Sequence, residues 1–394
     1  MLDLARDGYT HDEVVHALHN AGRTVSFEYD LLDNTNRKIK TLSKVTSGAI
    51  KFGALNSIKR TATFTLSGDE GINFLQHRIR PYMLLKMPKP RIVERIHYFL
   101  SHNQPMTVED DVPDRAEWVR FPLGIYLLSS PTQTSTAYNV QRSITAYGLM
   151  QVLHDDKFLD TYTVNQGVLV VDAVVGILSS AGINDYNISP SDKVVPRTIQ
   201  FDIGTKKAEA VNELLSIINY TPIYDDADGY FTSGPYRPPS ERPVDYVYKD
   251  DSQSVILQGV EEELDLFGVP NVFVVVRTNP EETPLKSVLT NDNANSPLAT
   301  INRGRNIVEY REINDIADQE TLDAYTQRVA FEASQVYGRI RWQSSLMPIH
   351  SYSNVLQFDF GQLGISGKYL ELAWEMQLAT GGTMTHELRQ VVAL

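Results

Sequence analysis

The sequence predicts an α+β fold that is predominantly β. Three observations carry this expectation. Short segments rich in Val, Ile, Thr, Tyr and Phe alternate apolar with polar positions, the period of a half-buried strand. Pro, Gly and Asn separate these segments at turn spacing. Helical spacing of apolar residues is confined to a few places, the best of them 318–337.

A helix opens the chain. Thr10 is its N-cap, Glu13 completes a capping box, Val14, Val15 and Leu18 form its apolar face, and Gly22 is its stop. Residues 25–32 alternate as a strand and Asn34-Thr35-Asn36 is a turn. Residues 39–52 read as a strand pair broken near Gly48, followed by strands at 58–66, 83–87, 92–100, 118–129 and 138–147. This run of short strands predicts a barrel or sandwich with a boundary near Gly148.

The next stretch is mixed. A helical turn at 149–154 and a helix at 168–181 ending at Gly182 precede a strand at 194–201. Ala210, Val211, Leu214, Leu215 and Ile218 line a helix over 206–218. In 221–231, two aromatic-bearing strands flank Asp-Ala-Asp-Gly, a hairpin signal. The Pro-rich segment 236–243 is a linker or a strap across a surface. Strands are expected at 255–260 and 271–278, the second apolar throughout and therefore buried on both faces. Residues 279–306, rich in Asn, Pro, Ser and Thr, read as a long loop that orders on assembly. Asp318 caps the helix 318–337, with Leu322, Tyr325, Val329, Ala330, Ala333 and Val336 on one face and Gly338 at its end. Strands at 339–348 and 354–360 lead to a closing hairpin over 367–392. There Tyr369, Glu371, Ala373 and Glu375 alternate with Leu370, Leu372, Trp374 and Met376, and Gly381-Gly382 makes the turn. There is no tandem repeat.

Composition narrows the function classes. The 394 residues suffice for two to four domains, and 42% hydrophobic with 22% charged residues is a folded-protein balance. The net charge is -13, with acidic runs at Glu109-Asp110-Asp111, Asp155-Asp156, Asp250-Asp251 and Glu261-Glu262-Glu263 and no basic stripe. Durable binding to a phosphate backbone needs clustered cations, so it is not expected. The absence of Cys removes disulfides and thiolate metal sites and fits synthesis in a reducing cytosol. The N-terminus has no signal-peptide pattern and no apolar run approaches a bilayer span, so stable membrane insertion is not expected.

Motifs that carry chemistry are incomplete. His386-Glu387-Leu388-Arg389-Gln390 begins like a zinc-protease helix, but Gln390 stands where the second His ligand belongs. In Gly364-Ile365-Ser366-Gly367-Lys368, Tyr369 stands where a phosphate loop needs Ser or Thr, so the segment reads as a turn before a strand. His11, His16 and His19 read as a polar helix face. Asp225, Asp226 and Asp228 before Gly229 lack the spacing and terminal Glu of a calcium loop. No Gly-x-Ser-x-Gly elbow is present. Carboxylate pairs are abundant but fall in no glycosidase motif, and the 20 Tyr read as core and interface. No residue is assigned a catalytic, cofactor-binding or metal role.

Several stretches, taken in order, resemble the phage tail-tip and baseplate hub family. They are FEYDLLDNTNRKIKTLSKVTSGAIKFGALNSIKRTATFTL at 27–66, FPLGIYLLS at 121–129 and SITAYGLM from Ser143, with Gly148 where the family often has Asp. The helix leading to Gly367-Lys368-Tyr369 and LATGGTMTH at 378–386 complete the set. The resemblance implies two tail-tube-like β-barrel domains plus smaller α/β domains. These divide as an N-terminal barrel-like domain at 1–150, a mixed α/β domain at 151–250 and a second barrel-like domain with a long helix at 251–394.

It further implies a homotrimeric ring at the distal end of a tail, presenting a pseudo-sixfold face to the tube, with DNA passing through the lumen. The implied partners are further copies of the chain, a distal tail or tail tube protein, a tape measure protein and fibre or receptor-binding proteins. The implied location is the virion tail tip, after assembly in the host cytoplasm. Because the chain ends just past the closing hairpin, a bare hub without enzymatic activity or cofactor is expected. A hub of a contractile injection system or tailocin is the same class. A carbohydrate- or receptor-binding β protein of the tail is the alternative, and a cell-wall hydrolase follows it.

Overall fold

The computed structural model describes residues 3–68, 70–88, 116–129, 131–135, 140–264, 267–278, 284–334 and 338–391. The strand expected at 92–100 lies outside them. Helix α1 (His11–His19) begins on the expected capping box: Glu13 N donates to Thr10 Oγ1 at 3.4 Å and Thr10 N donates to Glu13 Oε2 at 2.8 Å. Its Val14, Ala17 and Leu18 are buried. Strands β1 (Val25–Leu32), β2 (Lys38–Leu42), β3 (Val45–Gly53), β4 (Arg60–Ser67) and β5 (Arg78–Lys86) follow. Next come β6 (Trp118–Pro122), β7 (Tyr126–Leu128), β8 (Thr132–Ser135) and β9 (Val140–Gly148).

The middle of the chain supplies α2 (Met150–Asp155), β10 (Tyr162–Val164), α3 (Val170–Ser180), β11 (Tyr186–Ile188), β12 (Ile199–Phe201), α4 (Lys207–Ile217), β13 (Tyr224–Asp225) and β14 (Phe231–Ser233). Then come β15 (Tyr246–Lys249), β16 (Glu261–Leu264), β17 (Val272–Arg277), β18 (Lys286–Thr290), α5 (Thr300–Arg303), β19 (Val308–Ile313) and α6 (Gln319–Ser334). The chain closes with β20 (Gly338–Ser345), β21 (Val355–Phe360), β22 (Ile365–Gln377) and β23 (Thr383–Gln390).

The class is α+β and mostly β, as expected. A 15-stranded sheet runs β16-β20-β23-β22-β3-β4-β9-β7-β5-β1-β2, with β21 and β15 branching from β22, β6 from β5 and β8 from β9. Among the described residues this pairing does not close into a barrel. It is continuous because β22 has 13 residues and serves two sets of neighbours. Its first part pairs with β21, from Ile365↔Phe360 to Leu370↔Val355. Its last part pairs with β3, from Ala373↔Gly53 to Gln377↔Ala49. Along its other edge β23 pairs from Tyr369↔Gln390 to Met376↔Met384, with a register shift between Glu371 and Ala373. One apolar core accordingly joins Phe64 and Tyr126 to Trp342, Phe358 and Met384. A second core gathers α2, α3 and α4 around Leu153, Ile177 and Leu214. A third lies between α6 and the sheet β18-β17-β19, around Val275, Leu322 and Val329.

Several local expectations change. The break between β2 and β3 falls at Ser43-Lys44 and not at Gly48. Gly48 lies inside β3, where a Cβ would stand 2.7 Å from the Thr63 carbonyl oxygen, so glycine is required by close approach of β4. Of 194–201 only Ile199–Phe201 is strand. Residues 255–260 make a single bridge, Ile256↔Ser344, and the strand lies further on in the acidic run Glu261–Leu264. That exposed run pairs with β20 because Glu261 faces Arg341 and Glu263 faces Arg339, opposite charges across an edge.

β17 alternates, with Phe273 and Val275 buried and Val272, Val274 and Val276 half-buried, because α6 covers one face of its sheet. The loop expected at 279–306 contains β18 and α5. Asn side chains within it and beside it tie down its irregular stretches: Asn271, just before β17, donates from Nδ2 to Arg305 O at 3.0 Å and accepts at Oδ1 from Ile307 N at 2.8 Å, and Asn302 Nδ2 donates to Ala294 O at 2.9 Å. Asp318 caps α6 as expected, accepting from Thr321 N at 2.7 Å.

Gly148 acquires a reason. A Cβ there would lie 2.7 Å from Asp225 Oδ2, the oxygen that accepts from Leu149 N at 3.2 Å at the start of α2. Burial pushes the Asp225 carboxyl up, while Arg60 pulls it down. Among the described residues no helix is long and apolar enough to cross a membrane.

Candidate functional site

The most concentrated chemistry lies where β22 changes partners. Period-2 alternation puts Glu371 on the polar face of the closing hairpin. At this point, however, β22 is covered on both sides, and Tyr369, Leu370, Glu371 and Leu372 are all buried. Backbone contacts pin the segment: Glu371 N donates to Asn354 O at 2.8 Å, and Leu372 O accepts from Ala54 N at 2.7 Å.

The Glu371 carboxylate is 1% exposed and meets two imidazoles. His350 Nδ1 lies 2.6 Å from Oε2, and His386 Nδ1 lies 2.8 Å from Oε1. Each ring nitrogen on the far side meets a hydroxyl: His350 Nε2 to Tyr248 Oη at 2.7 Å and His386 Nε2 to Ser344 Oγ at 2.9 Å. Ser344 Oγ in turn donates to the Ser345 carbonyl at 2.7 Å. Trp342 stacks on His386 with ring centroids 4.3 Å apart, and the two imidazoles are 4.6 Å apart.

Burial disfavours every charge here. It pushes His386 down to about 4, with Glu371 pulling the other way and His350 adding to the depression. Burial alone would raise Glu371, but His350's attraction and the bonds from both imidazoles outweigh it and hold the carboxyl below its ordinary range. The Tyr248 phenol is raised well above its ordinary value, by burial first and then by the charge of Glu371. The arrangement is a satisfied buried polar network with a single anionic centre. It can orient β22, β23 and the β20–β21 turn, and it can hold a proton or a cation.

Two clefts adjoin the same strand. One of about 650 Å³ is bordered by Trp342, Trp374, His386, Arg341 and Glu375. The other, about 250 Å³, lies between Leu370, Leu372 and α6 and is bordered by Tyr236, Arg242, Arg328 and Tyr352. The Pro-rich strap packs here, with the Arg328 guanidinium 5.1 Å over the Tyr236 ring while its Nε donates to Glu332 at 2.8 Å.

The residues singled out by motif disperse. His19 bonds Gln253 O at 2.8 Å and Tyr246 Oη at 2.7 Å, and His11 Nδ1 accepts from Leu4 N at 3.1 Å. Asp225 caps α2, Asp226 Oδ1 accepts from Asp228 N and Tyr230 N at 2.9 Å, and Asp228 pairs with Arg80 at 3.0 Å. Gly364 sits at φ 66 at the end of a 3-10 turn, and Lys368 Nζ donates to Ser240 O at 2.9 Å and to Arg242 O. Glu387 pairs with Arg339 at 2.5 Å. His386 lacks a partner along its own strand, and the fold supplies two from 15 and 36 positions away, Glu371 and His350. Sequence spacing carried no sign of that convergence; the one available signal was a lone Glu inside the apolar run Leu370–Leu372.

No protein-family model and no curated protein matches the sequence. Solved structures do match the fold. A tail protein from Neisseria meningitidis MC58 aligns at TM-score 0.60 and 10% identity, covering 93% of this chain and 97% of its own. The 43 kDa tail protein of prophage MuSo2 from Shewanella oneidensis aligns at 0.59 and 10% identity, covering 92% and 98%. Prophage tail protein gp18 from Listeria monocytogenes EGD-e aligns at 0.54 and 9% identity, covering 92% and 94%. At such identities the likeness is one of architecture: the chain has the fold of these tail proteins.

Proposed function

We propose that this chain is a structural subunit of a phage tail tip, a hub that continues the tail tube and carries the distal adsorption proteins. The observation that carries the reading is end-to-end coverage in both directions with three tail proteins, so that the whole chain and not one module shares their architecture. The continuous 15-stranded sheet suits a load-bearing part.

Three copies form a ring whose lumen passes DNA. The net charge of -13 supports a conduit that does not retain a polyanion. The distal tail or tube protein, the tape measure protein and fibre proteins are its neighbours, the virion tail is its location, and its role is scaffolding without catalysis. Light scattering of the purified chain, alone and mixed with its tail-tube neighbour, tests this. A trimer in either sample is expected; a monomer or dimer in both overturns the ring.

A further inference from the structure

We propose that His350, Glu371 and His386 form a metal site for zinc or a similar divalent transition ion. Their donor atoms all lie within 4.8 Å of one another, and the three side chains are buried to within 1%. The cluster draws on three segments: the β20–β21 turn, β22 at its register shift, and β23.

The surrounding hydroxyls suit a cation between the donors. In the metal-free network His386 Nδ1–H bonds Glu371 Oε1 at 2.8 Å. When Nδ1 takes an ion instead, the neutral ring carries its proton on Nε2. Ser344 Oγ, 2.9 Å from Nε2, then accepts from it while donating its own proton to the Ser345 carbonyl at 2.7 Å. Tyr248 Oη stands in the corresponding place for His350 Nε2, so both imidazoles have the outer hydrogen-bond partners that orient ligating histidines.

Two imidazoles and a carboxylate suit zinc and its neighbours in the first transition row and not the all-oxygen preference of calcium or magnesium. Donors about 2.0–2.2 Å from one tetrahedral ion stand about 3.3–3.6 Å apart, so the present contacts of 2.6 and 2.8 Å open by about 0.5–1 Å on binding. The remaining coordination position falls to water or a small anion, and the cleft bordered by His386 is the route of entry.

The test uses the full chain, stripped with EDTA and shown to remain folded by circular dichroism. Expected results are uptake of about one zinc per chain by elemental analysis, visible ligand-field absorption on adding Co²⁺, and a Tm about 3–5 °C higher at saturating zinc, with no response to Mg²⁺ or Ca²⁺. Glu371→Gln keeps the shape and loses these responses. Should that variant fail to fold, ¹⁵N spectra of the wild-type imidazoles locate the ion, with His350 and His386 moving on zinc addition. A folded, stripped protein that shows no cobalt absorption and no zinc-dependent Tm overturns the proposal and leaves a purely hydrogen-bonded network. So do zinc responses that persist in Glu371→Gln or that move other histidines.

Discussion

Trp374→Ala tests whether β22 makes the two groups of strands one cooperative unit. Trp374 is 4% exposed, pairs in register with Phe52 on β3, and stacks on it with centroids 5.6 Å apart and planes at 9°. Its indole Nε1 has no hydrogen-bond partner, so truncation strands no buried acceptor. A buried Trp→Ala change costs about 3–5 kcal/mol through lost transfer and cavity energy. The stack on Phe52 adds about 0.5–1.5 kcal/mol beyond area, which places the expected cost near the upper end. Trp374→Phe retains the stack and should cost about 1–2 kcal/mol.

Of the 3 Trp, the two that remain are Trp118 on β6, in the N-terminal strands, and Trp342 on β20, in the C-terminal strands. Urea unfolding of single-Trp versions, read by fluorescence, therefore reports each group separately. Both midpoints should fall together and by the same amount, because β22 pairs with β3 and with β21 and β23. A cost under about 1 kcal/mol, or a shift at one reporter alone, would refute the reasoning.

Gly148→Asp should destabilise by about 2–4 kcal/mol, since it sets a second buried carboxylate against Asp225 Oδ2 at the 2.7 Å Cβ contact; adding Asp225→Asn should recover part of the loss in thermal melts. Burial lowers Lys59 to about 8, so its contribution is complete above its ordinary 10.5 and is lost as pH falls towards 8. Lys59→Met should flatten the rise in stability across that window in urea titrations at stepped pH. Burial raises Tyr369 to about 12, so its contribution is intact below 10 and is lost as pH climbs towards 12. Absorbance at about 295 nm should show a late, cooperative phenol titration that coincides with unfolding, and Tyr369→Phe should delay that unfolding. Asn271→Ala removes a donor from Arg305 O and an acceptor from Ile307 N, and should speed proteolysis around 291–306 about tenfold or more relative to wild type. An unchanged cleavage rate would show that these bonds do not order the segment.

Much of this architecture was present in short-range sequence. The Thr10–Glu13 capping box, the strand Val25–Leu32, the helical spacing of α4, the Asp318 cap and the closing hairpin each depend on neighbours a few residues apart, and each formed where expected. Period 2 also separates the two faces of a strand. It says nothing about what covers them, so β17 read as doubly buried and the burial of Glu371 gave no sign. The acidic strand β16 and the Asn-knit segment after β17 escaped notice for a related reason. Their order comes from Arg339 and Arg341 opposite the glutamates and from Asn271 bonding across more than thirty positions.

The partner switch along β22, and with it the burial of one carboxylate between His350 and His386, was decided only by tertiary structure. Alternation and capping are local energies that a sequence displays directly. The meeting of residues 15 and 21 positions from Glu371 depends on which strands pair, and that is settled by the packing of the whole sheet.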